Sequence, residues 1–114
     1  MKFAGSWISA LLILLGALGG AGGARAEDGD YVLVIRNHMF TPSRLELPRG
    51  KKIRLLVKNQ DATPEEFESH SLNREKIILP GRDGVVYIGP LGPGTYDFFG
   101  DFYPKTAQGL IIVR

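Results

Sequence analysis

The segment of residues 59–70 holds most of the side chains in this chain that could carry out chemistry. An Asn-x-Asp-x-x-Pro loop opens it, and the Glu-Glu-Phe-Glu-Ser-His run that follows supplies three glutamates and one of the 2 histidines. Carboxylates with one imidazole suit Fe, Mn, Cu(II) or Zn(II) rather than Cu(I). Carboxylates gathered in one loop also repel each other unless a cation neutralises them. The segment therefore predicts a cation site, and the alternative is a set of exposed, solvated glutamates.

Two further loops are expected to contribute side chains to this site. The directions of the predicted strands bring the loops at residues 37–42 and 100–108 to the end of the fold where strand 52–58 ends, which we call the pole. The candidate metal ligands are His38, Glu65, Glu66, Glu68, Asp101 and Tyr103. Tyr103 is either a ligand or a donor to one, and capping a backbone carbonyl is an equally open role for His38.

Strand parity separates the glutamates of this segment. If Phe67 faces the core, Glu65 lies on the same side of the strand, whereas Glu66, Glu68 and His70 lie on the other side. Glu65 then points towards the interior of the pole, and the other two glutamates line an outer face. His70 is roughly 10 Å from Glu66 at the rise of a strand, so it is interpreted as a surface or cross-strand histidine.

Several kinds of enzyme are excluded by what the sequence lacks. The chain contains 0 cysteines, so it has neither a thiolate nucleophile nor a thiolate metal ligand. The histidines lie in separate segments and no Gly-x-Ser-x-Gly elbow is present, which argues against a serine hydrolase. A domain this short offers no large cleft for a sugar. We expect a non-enzymatic protein, with ferroxidase activity as the alternative.

The first residues are typical of a secretory signal peptide. Lys2 gives a positive start, residues 7–18 are apolar, and Ala24-Arg25-Ala26 offers a cleavage site. The apolar run is shorter than the roughly 20 residues of a membrane-spanning helix. The sequence therefore predicts a signal peptide at residues 1–26, one domain at residues 27–114, and export of that domain.

Charge excludes a nucleic-acid partner. Removal of Lys2 and Arg25 with the signal peptide reduces 14 basic residues to 12, which equals the 12 acidic residues. A near-neutral domain without a cluster of basic and aromatic residues has no electrostatic footprint for nucleic acid.

Short β-rich runs, separated by Gly and Pro turns and without helical periodicity, fill the remaining sequence. The predicted strands are residues 31–36, 44–47, 52–58, 67–72, 77–79, 85–88, 95–99 and 109–113. The second and third should form a hairpin, and residues 73–76 should form a turn. The predicted fold class is all-β, a sandwich of seven or eight strands.

Ordered motifs across this region resemble the cupredoxin superfamily, specifically the EfeO-type cupredoxin-like domains of exported bacterial proteins. They are Phe40-x-Pro42, Leu45-x-Leu47-Pro48-x-Gly50, Asn59-x-Asp61, Pro64, Gly92-x-Gly94-x-Tyr96-x-Phe98 and Gly109-Leu110-Ile111-Ile112-Val113. The resemblance implies a Greek-key β-sandwich with a metal site at one pole. The relatives it indicates are small periplasmic proteins of ferrous-iron uptake systems.

The same resemblance shows where this chain departs from blue-copper proteins. It places their two histidine ligands at Glu65 and Tyr103, their cysteine at Gly100, and their methionine at Ala107 or Gln108. All four ligands are replaced, and a type 1 copper site requires the copper–thiolate bond. Type 1 copper is therefore excluded.

The expected function follows from the oxygen-rich pole together with the resemblance. We expect a periplasmic cupredoxin-like protein that binds or hands on Fe or Cu ions as part of an iron-uptake system. Its expected partners are the metal ion, an inner-membrane iron permease and other periplasmic proteins. The alternative is a metal-free interaction module that docks a membrane permease or another partner protein.

Overall fold

A computed structural model describes residues 30–114, and the predicted signal peptide lies outside them. Nine strands form in this region: β1 (Tyr31–Arg36), β2 (Met39–Thr41), β3 (Arg44–Leu47), β4 (Ile53–Asn59), β5 (Glu65–Ser69), β6 (Arg74–Ile78), β7 (Asp83–Ile88), β8 (Gly94–Gly100) and β9 (Gln108–Val113). Within residues 30–114 no helix is long and apolar enough to span a membrane.

The strands form two sheets that face each other across one core. One sheet has the order β2-β1-β4-β7 and the other has the order β3-β9-β8-β5-β6. Strands β1 and β4 are parallel, as are β3 and β9, and the other pairs are antiparallel. The predicted all-β sandwich is confirmed. The short strand β2 is an additional element, and β6 begins at Arg74, before the predicted strand at residues 77–79.

The predicted hairpin between the second and third runs is wrong. Strand β3 pairs with β9, and β4 pairs with β1 and β7, so the turn at residues 48–52 carries the chain from one sheet to the other. Alternating apolar residues show which face of a strand is buried. They do not show which strand it bonds to, and both strands bury alternate apolar side chains against the opposite sheet.

The turn predicted at residues 73–76 is also wrong for most of its length. Residues from Arg74 onward form β6, and the turn lies before it, where Asn73 has a φ of 58°. Strand β6 is at the edge of its sheet, and four of its five residues are exposed. An edge strand exposed on both faces tolerates the polar residues that are typical of a turn, which is why its composition misleads.

Three phenylalanines from different strands form the centre of the core next to the pole. The Phe67 and Phe98 rings stack with centroids 5.3 Å apart, and Phe40 meets Phe98 edge-on at 5.0 Å. Their exposed fractions are between 0% and 4%. Phe67 and Phe98 therefore fix strands β5 and β8, whose ends carry the candidate ligands.

Candidate functional site

The three loops that were predicted to meet at the pole do so. The Asp61 carboxylate accepts hydrogen bonds from the backbone amides of Asn37 and His38 at 2.8 and 2.9 Å. These two residues have φ values of 54° and 58°, so Asp61 stabilises the tight turn between β1 and β2. The hydroxyl of Thr106 donates to the His38 carbonyl, which joins the third loop to this turn.

Strand β5 divides its side chains as parity predicts. Glu65, Phe67 and Ser69 are buried, whereas Glu66 and Glu68 are partly exposed on the opposite side of the strand. Glu65, Phe67 and Ser69 are buried because β5 lies between β8 and β6 and directs one face towards the core. The six predicted ligands therefore do not form one site, and they separate into three groups.

The first group consists of Glu66, Glu68 and Asp101. One carboxylate oxygen from each lies within 4.8 Å of the others, and no other group of three acidic or histidine side chains is this close among residues 30–114. The amide of Asp101 donates to the Glu66 carbonyl at 2.9 Å, which fixes the loop after β8 beside β5.

Glu75 on β6 belongs to the same surface, and sequence analysis assigned it to a turn. It lies directly opposite Glu68 in the register of β5 and β6. We call Glu66, Glu68, Glu75 and Asp101 the acidic face. The parity of β6 would have revealed Glu75, had residues 74–78 been recognised as a strand paired with β5.

The acidic face concentrates negative charge around Glu66. Burial raises the pKa of the Glu66 carboxyl, and the charges of Glu75 and Glu68, a hydrogen bond with Glu75 and the charge of Asp101 raise it further. The imidazole of His70 lies beside the face, with Nε2 3.3 Å from Oε2 of Glu68. A bound cation would reduce this repulsion, because an opposite charge favours the ionised carboxylates.

We expect Glu66→Gln to stabilise the folded protein at pH 7 by roughly 0.2–1 kcal/mol, the range for charge pairs on adjacent strands. The pKa of Glu66 is raised above its ordinary value of 4.5, so its stabilising contribution is present below pH 4.5 and is lost as the pH rises through the folded-state value. Urea denaturation at pH 7 and at pH 4 measures the effect, which should disappear at the lower pH.

Glu46→Gln is the matched control for this prediction. Glu46 is an exposed carboxylate on the outer face of the same sheet, and its pKa is lowered by a hydrogen bond and charge from Arg114. Its replacement should therefore lower stability slightly at pH 7. Equal stabilisation by both variants would show that general charge removal, rather than the acidic face, causes the gain.

The second group is His38 with Tyr103. Their rings stack with centroids 3.6 Å apart, and Nδ1 of His38 lies 3.5 Å from the Asp61 carboxylate. The imidazole thus has a flat face covered by the phenol ring and one nitrogen directed at an acid. This pair packs the β1–β2 turn against the loop that follows β8.

Glu65 alone forms the third group. It is 1% exposed, and its Oε1 atom accepts hydrogen bonds from the amides of Glu66 and Phe102, both at 2.9 Å. A Cβ atom at Gly100 would lie 2.5 Å from the Glu65 carboxyl and 2.7 Å from Cβ of Ala107. The carboxyl group thus occupies the space beside positions 100 and 107.

These residues do not fit the copper ion that cupredoxins imply. Of the four positions that correspond to blue-copper ligands, Gly100 and Ala107 offer no side-chain ligand atom, and Tyr103 is stacked on His38. Gln108, the alternative to Ala107, is exposed. The fourth, Glu65, fills the space that a side chain at Gly100 would need. No step of copper chemistry is therefore assigned to the pole.

A family model described as a cupredoxin-like domain matches residues 8–113 of this chain. A similar curated protein is an uncharacterized protein of Rickettsia prowazekii (strain Madrid E), which is 51% identical over 82 residues. The match covers 72% of this chain and 66% of that protein, so this chain spans slightly less than two thirds of its relative's length.

Solved structures with similar folds include copper proteins. A reduced amicyanin mutant has a TM-score of 0.61 at 18% identity, with 82% of this chain and 90% of that chain covered. The purple cupredoxin from Nitrosopumilus maritimus has a TM-score of 0.59 at 21% identity, with coverages of 75% and 100%. A chain of a heme-copper terminal oxidase dimer has a TM-score of 0.66 at 19% identity, with coverages of 95% and 91%. At these identities the likeness shows a shared fold.

Proposed function

Since this chain belongs to the family of cupredoxin-like domains, we propose that it is a metal-handling protein that binds Fe or Cu ions on its acidic face. The observation that carries this function is the convergence of the Glu66, Glu68 and Asp101 carboxylates within 4.8 Å. Rotation of these side chains can bring the three oxygen donors onto one cation without rearrangement of the backbone that holds them. Water completes the coordination, because Asp101 is exposed and the two glutamates are only partly buried.

The donor set selects the class of metal ion. Carboxylate oxygens alone suit Mg²⁺, Ca²⁺ and Mn²⁺, and an added imidazole shifts the preference towards Fe, Cu(II) or Zn(II). His70 supplies such a nitrogen 3.3 Å from Glu68, at the rim of the acidic face. Among residues 30–114 no thiolate is present, which sets this site apart from the type 1 copper centre.

The biological setting of the proposal is iron uptake in the periplasm. The predicted signal peptide supports export, and the resemblance to proteins of ferrous-iron uptake systems supports iron as the cargo. An open site with water ligands exchanges its ion readily, which suits handing an ion to an inner-membrane permease. Ferroxidase activity is not part of the proposal, because the acidic face offers few nitrogen ligands for a redox metal.

Calorimetric titration of the purified protein with Fe(II) under anaerobic conditions, Cu(II) and Mn(II) tests this function. We expect a dissociation constant well below about 1 mM for Fe(II) or Cu(II), and at least about tenfold weaker binding after Glu66→Gln with Asp101→Asn. Each removed carboxylate takes away a charged ligand. A tenfold loss of affinity corresponds to roughly 1.4 kcal/mol of binding free energy.

Glu46→Gln is the control, since it removes one exposed carboxylate from the outer face of the same sheet at the far edge strand. Its binding constants should equal those of the unmodified protein. The proposal is contradicted if no ion binds more tightly than about 1 mM, which is roughly 4 kcal/mol of binding free energy. Binding that persists unchanged in the double variant would also contradict it.

A second proposed function is a metal-free docking module for a basic segment of a membrane permease. It is favoured by apolar side chains on the acidic face: Ile77, which lies opposite Glu66 on β6, is 51% exposed, and Phe102 after Asp101 is 43% exposed. Aromatic and apolar residues within a charged rim are typical of protein interfaces. Capture of a permease that survives a chelator and is lost in Ile77→Ser would support docking over cation binding.

A further inference from the structure

Glu65 connects two elements that are distant in the sequence. The Phe102 amide lies 37 positions further along the chain and donates to Oε1 of Glu65 at 2.9 Å. The same oxygen accepts the Glu66 amide at 2.9 Å, so one carboxylate atom holds both the start of β5 and the loop after β8. Oε2 is also buried and has no hydrogen-bond partner within the region that the structure describes.

The small residues next to Oε2 leave room for the buried carboxyl group of Glu65. A Cβ atom at Gly100 would lie 2.5 Å from both Cδ and Oε2 of Glu65, and 2.7 Å from Cβ of Ala107. These distances are far below the roughly 3.5–4.0 Å of a normal contact. A carboxyl at position 65 and any side chain at position 100 therefore exclude each other. The small residues Gly100 and Ala107 enclose the carboxyl group.

The loop between β8 and β9 is otherwise closed mainly on itself. The Gly100 amide donates to the Ala107 carbonyl at 2.8 Å, and the Ala107 amide donates to the Tyr103 carbonyl at 2.9 Å. Two backbone amides of this loop donate to β5 within the described residues. The Asp101 amide donates to the Glu66 carbonyl, and the Phe102 amide donates to the Glu65 carboxyl group. The hydrogen bond from the Phe102 amide to the Glu65 carboxyl group therefore joins this loop to the sheet that contains β5.

We infer that the Glu65 carboxyl group, rather than a metal ion, holds the pole of this cupredoxin-like domain together. Glu65, Gly100 and Ala107 form one unit, which we call the carboxyl clamp. The clamp fills the interior of the pole and leaves no space there for an ion, so cation binding is confined to the outer acidic face. The clamp holds whether or not the acidic face binds a cation.

A double-mutant cycle in the presence of EDTA tests the clamp. Glu65→Ala removes the acceptor of two amides and should lower the folding equilibrium constant roughly 100-fold. Gly100→Ala should lower it roughly 10- to 100-fold by overpacking. In the double variant the new methyl group enters the vacated space, so we expect at least about fivefold higher stability than independent effects predict. Urea denaturation followed by circular dichroism measures all four proteins.

Glu46→Ala combined with Gly100→Ala is the matched control, and these two changes should act independently. Independent effects of Glu65→Ala and Gly100→Ala, within about twofold, would overturn the clamp. So would a Gly100→Ala variant as stable as the unmodified protein. Failure of cation binding would leave these results unchanged, because EDTA is present throughout.

Amide hydrogen exchange gives a second test that does not require a destabilised variant to fold. The Phe102 amide should be protected in the unmodified protein and in Glu65→Gln, because the amide side chain retains the accepting oxygen. Phe102 is 43% exposed, so solvent exclusion of the side chain does not account for protection. Exchange of the Phe102 amide at the rate of an open loop would overturn the clamp.

Discussion

Replacement of Gly109 by alanine is expected to destabilise the protein by about 3 kcal/mol, the upper part of the range for overpacking a core. Gly109 lies directly opposite Phe98 in the register of β8 and β9. An added Cβ would lie 2.2 Å from Cζ of the Phe98 ring and 2.4 Å from Cε1. Relief would need a shift of more than about 1 Å, since carbon contacts lie at roughly 3.5–4.0 Å.

The Phe98 ring has nowhere to move. It stacks on Phe67 at 5.3 Å, meets Phe40 at 5.0 Å, and is 1% exposed. Strand β8 continues from Phe98 to Gly100 and is followed directly by Asp101, so a displaced ring would also disturb both the carboxyl clamp and the acidic face. We therefore expect loss of stability to be accompanied by weaker cation binding.

Chemical denaturation of Gly109→Ala and of Gly92→Ala provides the comparison for this prediction. A Cβ at Gly92 meets no atom within 4 Å, so that variant should change stability by no more than about 0.5 kcal/mol. Adding Phe98→Leu to Gly109→Ala should recover part of the loss, because the smaller side chain makes room for the methyl group. Equal stability of the two glycine variants would contradict the steric explanation.

The sequence predicts which segments form strands better than it predicts which strands pair with each other. Alternation in residues such as Leu45 and Leu47 correctly gives the buried face of β3, because side chains in a strand alternate between faces. It does not give the partner strand, which depends on contacts between distant segments. The predicted hairpin is wrong for this reason, and the first residues of β6 were assigned to a turn because an edge strand needs no apolar pattern.

The sequence likewise predicted one part of the candidate site, the division of the glutamates, and missed another, the carboxyl clamp. Parity in β5 correctly separates Glu65 from Glu66 and Glu68, since it needs only the direction of Phe67. The carboxyl clamp was present in the sequence only as small residues at positions that correspond to metal ligands. Recognising it required the distance between the Glu65 carboxyl and Gly100, which arises from the packing of β5 against β8.

Replacement of Asn59 by aspartate is expected to destabilise the protein by about 3–5 kcal/mol at pH 7, the cost of leaving an uncompensated charge buried. Asn59 is 2% exposed at the end of β4. Its Nδ2 atom donates to the carbonyls of Thr63 at 2.8 Å and Ile78 at 3.0 Å, and its Oδ1 accepts the Asp61 amide at 3.0 Å. The amide group therefore joins the loop before β5 to the end of β6.

Aspartate keeps the size of Asn59 and the acceptor for Asp61, but it directs an oxygen at two carbonyl oxygens instead of a donor. Burial raises the pKa of such a carboxyl above its unfolded value of about 3.9. Its protonated form is favourable below that value, and stability is lost as the pH rises through the folded-state pKa. Denaturation midpoints should therefore converge with those of the unmodified protein between pH 7 and pH 4.

Asn73→Asp makes the same chemical change at an exposed turn, where φ is 58° and aspartate is tolerated. It should cost no more than about 0.5 kcal/mol at either pH. An Asn59→Asp loss that is equal at pH 4 and pH 7 would point to altered shape rather than buried charge. Because Asn59 positions the segment that leads into Glu65, Glu66 and Glu68, a pH-dependent loss would make one buried amide the common support of the clamp and the acidic face.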